Sequence, residues 1–385
     1  MDGSPKQTRK QPGLLELVRC FVERSVYDLI FTPQTIYSLQ QHLNAAIQWL
    51  KLAHDHSPDD GVSWGFSLRG SWRASYPETS GYIAETFFDV AKYVQDEDAW
   101  QRAIAISCWL TRVQAADGSI SNTRYGTGGI VFDTGQVLQG LARAYIETQD
   151  DKFLAAATAA ADWLVRVADQ EGRWTRQTYN GIPHVYNSRV AWILLCLHQL
   201  SPSPEWERVA LANLDWAVSQ QTGGWFKQCA FVANAAPFTH TIAYAIRGLL
   251  EAGWLLNNQR YLDAAISGAQ VVMTHLKADG SLPGQIDTNG VPVGRYCCLT
   301  GNCQMAIIWL KLFQHTGDAQ YFQAAQKGLQ YVMARQDIQT TNLNIRGGIK
   351  GSHPIWGCYV RLSYPNWATK FFTDALLLYI RLNPT

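Results

Sequence analysis

The chain has 385 residues, of which 47% are hydrophobic and 16% charged, and its formal net charge is +1. That is enough apolar material for a large core, and the balanced charge excludes a nucleic-acid footprint or an acidic tail. The N-terminal MDGSPKQTRKQPG lacks the apolar stretch of a signal peptide, no run of about 18 apolar residues occurs, and the eight cysteines form no disulfide framework. A reducing cytoplasm and no membrane span are therefore expected.

Residues 1–35 read as an extension in which Leu14 to Gln34 form a short amphipathic helix and an extended Thr-Pro link, expected to pack on the domain that follows. Residues 36–385 read as one domain of repeats. SLQQHLNAAIQWLKLAHD is an amphipathic helix with apolar residues recurring at three and four. Six units follow, opening at Tyr76, Phe132, Val185, Phe238, Cys298 and Tyr364, roughly 53 to 65 residues apart. Each opens on a polar or aromatic cluster and runs into an apolar helix rich in small residues. The first five are each followed by a second amphipathic helix, such as AWQRAIAISCWLTRVQ and KFLAAATAAADWLVRVAD. The helix before the first unit has the second character, and the last unit has only the first. The two ends therefore complement each other, and six inner with six outer helices predict an all-α, closed (α/α)6 toroid rather than an open stack.

The connections are unequal. Links from inner to outer helices are short and polar (VQDEDA, ETQDDK, HTGDA), whereas links from outer to inner helices run to roughly 15–30 residues. In an alternating ring all the long links fall on one face, together with the N-terminal ends of the inner helices. A single cleft is expected there.

Candidate chemistry clusters at those helix starts. Glu78 and Asp133 stand one or two residues into adjacent inner helices; a facing pair of carboxyl groups is the minimum for glycoside hydrolysis, and capping of the helix ends is their structural alternative. His240 opens the fourth inner helix with Tyr244 one turn later, a His/Tyr pair able to take the proton alpha to a uronate carboxyl. Trp64, Tyr76, Tyr125, Trp174, Tyr186, Trp225, Trp356 and Tyr364 offer flat rings for sugar faces or isoprenoid chains. Arg73, Asn187, Arg189, Asn302, Gln304 and Asn366 offer polar contacts, and the arginines of the long loops favour an anionic ligand. Cys297, Cys298 and Cys303 match no metal-ligand spacing, so no metal or other cofactor is expected.

HLNAAIQWLKLAHDHSPDDGVSWGFSLRGSWRASYPETSGYIAETFFD and RGGIKGSHPIWGCYVRLSYPNWATKFFTDALL resemble the opening and closing blocks of a bacterial protein family found with surface-polysaccharide synthesis genes. The resemblance implies the six-hairpin toroid of glycosidases, polysaccharide lyases and glucuronyl epimerases, and a polysaccharide context that includes other synthesis proteins as partners. WAVSQQTGGWF is similar to the Gln…Gly-x-Trp repeat of triterpene cyclases, but the acidic DxDD and DDxxD motifs of isoprenoid chemistry are absent. Four activities stay open: a glycoside hydrolase using Glu78 and Asp133, a uronate lyase or epimerase using His240 and Tyr244, a non-catalytic glycan-binding scaffold, and a terpenoid or prenyl enzyme. An oligo- or polysaccharide of anionic character is the expected partner.

Overall fold

The computed structural model describes residues 13–29, 37–121 and 128–383. Among them run thirteen α-helices: α1 (Leu14–Leu29), α2 (Leu39–Asp55), α3 (Pro77–Val94), α4 (Glu97–Val113), α5 (Val131–Thr148), α6 (Asp151–Val167), α7 (Ser188–Leu200), α8 (Pro204–Ser219), α9 (Thr239–Leu255), α10 (Gln259–Met273), α11 (Leu299–Thr316), α12 (Ala319–Met333) and α13 (Asn366–Leu382). None of them is long and apolar enough to cross a membrane.

The inner helices α3, α5, α7, α9, α11 and α13 pack each against the next, and α13 returns to α3. Each also pairs with an outer helix: α3 with α4, α5 with α6, α7 with α8, α9 with α10, α11 with α12, and α13 with α2. This is the closed (α/α)6 toroid expected from the repeat. The first and last helices of the ring, α2 and α13, make the sixth pair, as their complementary character requires.

Local chemistry sets the hairpins. Inner helices α3, α5 and α11 stop at residues in the left-handed region, Gln95, Gln149 and Gly317, which turn the chain within two or three residues. The next residues cap the outer helices: Asp96 accepts from the Ala99 amide, Asp150 from Lys152, Asn258 from Tyr261 and Asp318 from Gln320. Between α3 and α5 the contact is backbone to backbone. A Cβ at Gly81 would lie 2.4 Å from the Gln136 carbonyl oxygen, and one at Gly140 would lie 2.3 Å from that of Gly81. Two small residues thus draw together the helices whose first turns carry Glu78 and Asp133.

The long connections gather on one face and carry short strands that helix periodicity could not reveal. Gly65–Ser67 pairs with Ser71–Trp72 and, across the ring closure, with Ser363–Pro365. Asn366 locks the same seam, its amide donating to the Ser63 carbonyl and to the Thr79 hydroxyl, both at 2.8 Å. Helix α1 lies against the ring through Cys20, an Arg24–Asp337 ion pair at 2.5 Å, and Asp28, which takes Lys350 and the Ile355 amide.

Candidate active site

A cavity of about 190 Å3 opens where the inner-helix starts converge, lined by Trp64, Tyr76, Glu78, Tyr82, Ile130, Phe132, Asp133, Tyr179, Tyr186, Phe231, His240, Thr241, Tyr244, Tyr359, Val360 and Trp367. Nine of these sixteen residues are Trp, Tyr or Phe beyond the chemistry-bearing Tyr244, so the walls are flat rings and the polar groups are few. Trp64 meets Trp367 edge to face at 4.9 Å, and Phe132 packs on Tyr186 and Tyr244 at 5.3 and 5.0 Å.

Glu78 and Asp133 both face this cavity. Neither residue is the N-cap of its helix: those positions are Tyr76 and Ile130, and neither makes a side-chain cap. The Tyr76 hydroxyl donates to Oε2 of Glu78 at 2.5 Å. Burial pushes the Glu78 carboxyl up to about 7, against the opposing pull of the Tyr76 hydroxyl, the Arg189 guanidinium and the Tyr82 hydroxyl. A carboxyl poised there holds its proton up to neutral pH and can deliver it. Asp133 is nearly enclosed, at 4% exposure.

His240 sits among Tyr359, Tyr244, Phe231 and Phe238, with the Tyr359 ring centre 4.4 Å away. Burial lowers its imidazole to about 3, so it is neutral at physiological pH, and its Nδ1 makes no hydrogen bond within the chain. It can exchange a hydrogen bond with a ligand; it brings no positive charge.

Of the residues singled out from sequence, the structure brings Trp64, Tyr76, Glu78, Asp133, Tyr186, His240 and Tyr244 together. Arg73 stands beside them, its guanidinium 4.6 Å above the Trp64 ring. Tyr125 lies outside the described residues. The others are held elsewhere. Trp174 is buried and donates to the Leu164 carbonyl, bracing its loop on α6. Asn187 is buried in the turn before α7. Arg189 lies beneath the Tyr244 ring, bonded to Gln136 and Gln139, and Gln304 shares that layer under the floor. Trp225 packs on His275 in a two-stranded hairpin. Asn302 accepts from the Leu282 amide and donates to Gly280, Tyr364 is a buried strand residue opposite Phe66, and Asn366 is the seam bond described above. Trp356 is exposed on the loop before the last strand.

Among the described residues the cavity lining is therefore aromatic and carboxylic, and Arg73, over the Trp64 ring, is the expected arginine that stands beside it. Among the described residues no arginine lines the cavity. Arg173, for one, is held by Asp169 and Glu171 at its own turn. Tyr82, Phe132, Phe231 and Trp367 were not picked out from sequence. Tyr82 falls four residues after Glu78, and so on the same helix face, which is a signal spacing could have given. The three clustered thiols are buried and protonated, Cys297 and Cys298 being pushed well up by burial and Cys297 bonded to Asn302. Among the described residues no three His, Cys, Asp or Glu side chains gather as a metal site.

No protein-family model matches the chain, and no curated protein matches it. Solved structures do. An unsaturated glucuronyl hydrolase specific for heparin superposes with a TM-score of 0.73 at 15% identity, over 89% of this chain and 97% of that one. The unsaturated glucuronyl hydrolase of Bacillus sp. GL1, responsible for the degradation of glycosaminoglycan, gives 0.71 at 16% identity over 90% and 97%. That of Streptococcus agalactiae gives 0.68 at 12% identity over 98% of both chains. The chain has the six-hairpin (α/α)6 toroid fold of the unsaturated glucuronyl hydrolases.

Proposed function

We propose that the chain is a glycoside hydrolase that takes the terminal ring of an anionic, uronate-bearing oligosaccharide into the aromatic cavity. The observation that carries this reading is a carboxyl group, Glu78, held near neutrality beside a second carboxyl group, Asp133, in one ring-lined cavity. Glu78 is the general acid that protonates the leaving oxygen, and Asp133 is the base that activates the attacking water. The aromatic faces orient the sugar, and a cavity of about 190 Å3 suits one ring better than a long chain. Hydrogen bonds from the phenols of Tyr82, Tyr186, Tyr244 and Tyr359, with neutral His240, would receive hydroxyls and a carboxylate. Support for an acidic sugar comes from the structural neighbours, one of which is a complex with dGlcA-GalNAc6S and another with dGlcA-Glc-Rha-Glc.

The test is Glu78→Gln and Asp133→Asn, assayed on uronate-terminated and neutral oligosaccharides for reducing ends and for the absorbance of unsaturated products. The expected result is new reducing ends without new unsaturation, preferring uronates, with each amide variant at least about 100-fold slower. Full activity in both variants would remove the assignment, and new unsaturation would make the protein a lyase. The aromatic walls favour one second reading, in which Glu78 protonates an isoprenoid double bond and the rings stabilise the cation. Turnover of a prenyl diphosphate, with none of any glycan, would establish it instead.

A further inference from the structure

Helix α1 carries an apolar face that the ring does not cover. Leu14, Leu15, Val18, Phe21, Val22 and Val26 are 77, 87, 52, 39, 51 and 46% exposed. These are six of the fifteen exposed large apolar side chains among the described residues, on a helix of 16 residues; the other nine are spread over eight segments of loop and helix end. At 100° per residue the six fall within a sector of about 140°. The opposite sector, Leu17, Cys20, Arg24 and Asp28, faces the ring and fixes the helix there through the Arg24–Asp337 and Asp28–Lys350 pairs. The helix is therefore anchored and still presents a second, unused apolar stripe.

We infer that this stripe is an interface between two copies of the chain, formed by antiparallel packing of α1 on α1. Three observations choose this occupant. Leu14, Val18, Val22 and Val26 form one row at four-residue spacing, centred on position 20. Reversed, the row reads Val26, Val22, Val18, Leu14, so in an antiparallel pair Val18 meets Val22 of the other copy and Leu14 meets Val26, as a two-fold interface requires. Packing one such row into another is the commonest helix–helix arrangement. The edge of the stripe is also neutral, because Arg19 and Glu23 are joined at 2.7 Å, so two copies approach without like-charge repulsion. Finally, the area suffices. The six side chains expose roughly 500–600 Å2 per copy, or roughly 1,000–1,200 Å2 for two, which reaches the lower end of specific interfaces. A lipid surface fits less well, since the outward charges described on α1, Arg19 and Glu23, are paired with each other and make no basic face.

The experiment uses the full chain in sedimentation equilibrium. The wild type is expected to dimerise at micromolar concentration. Val18→Glu and Val22→Lys alone are each expected to weaken dimerisation by more than about 100-fold, because each homodimer would enclose two unpaired charges. An equimolar mixture of the two variants is expected to recover the dimer, because residue 18 of one copy then meets residue 22 of the other as a Glu–Lys pair. Thermal unfolding by circular dichroism checks that both variants are folded, and a Leu15→Ser variant with weakened dimerisation serves should either charge variant fail to fold. A wild type that stays monomeric at 100-fold higher concentration would overturn the inference. So would a dimer that survives both substitutions, or α1-dependent flotation of a monomer with phosphatidylserine vesicles.

Discussion

Tyr76→Phe isolates the balance that sets the acid. In the native site the Tyr76 hydroxyl donates to Glu78 at 2.5 Å and favours the ionised carboxylate, against the burial that favours the neutral form. A hydrogen bond to a charged group contributes about 1.5–3 kcal/mol, and about 1.4 kcal/mol corresponds to one pH unit. Glu78 keeps part of its surface open to the cavity, so the lower end of that range applies. Without the hydroxyl the carboxyl rises from about 7 to about 8. The assay is the pH dependence of kcat/KM on a uronate-terminated oligosaccharide. Its alkaline limb reports the acid in the free enzyme and is expected to move up by about one pH unit while the acidic limb stays in place. An alkaline limb that does not move, or that moves down, would refute the assignment of Glu78 as the acid controlled by Tyr76.

The same carboxyl makes stability depend on pH. Its folded value of about 7 lies above the ordinary 4.5, so the native state binds the extra proton between them, and stability falls as pH rises through that window. Glu78→Gln removes the dependence and is expected to be more stable than the wild type at pH 8 by up to about 3 kcal/mol, read from urea unfolding at pH 4.5 and pH 8. His240→Phe is expected to lower kcat/KM by at least about 10-fold without moving either pH limb between pH 5 and 9, since the imidazole is already neutral there. Gly140→Ala puts a methyl group against the Gly81 carbonyl and is expected to cost about 1–3 kcal/mol in urea unfolding, and to lower activity by pushing α3 and α5 apart.

The architecture was legible because it rests on one-dimensional signals. The alternation of small-residue helices such as TSGYIAETFF with amphipathic ones such as AWQRAIAISCWL marks inner and outer layers, and Asp96, Asp150 and Asp318 mark the outer starts. The carboxyl pair was legible for the same reason, since any residue in the first turn of an inner helix must lie near the converging ends. The choice among aromatic and polar residues was not. Trp174 and Trp64 both sit in long loops, yet one donates to an outer-helix carbonyl and the other lines the cavity, and only the path of the loop separates them. Asn302 and Asn366 open inner helices as Glu78 does, but short amides serve better as ties to loop backbone, and that is where they are spent. Arg173 likewise finds its acids, Asp169 and Glu171, at its own turn. The short strands leave no such signal, because two or three residues carry no period.

The central claim is that Glu78 keeps its proton near neutral pH, and a 13C NMR titration of glutamate-labelled protein, wild type against Glu78→Gln, tests it most directly. The account predicts one side-chain carboxyl resonance titrating near pH 7 in the wild type and missing from the variant. A difference spectrum in which the Glu78 resonance titrates near the ordinary value of about 4.5 would contradict it.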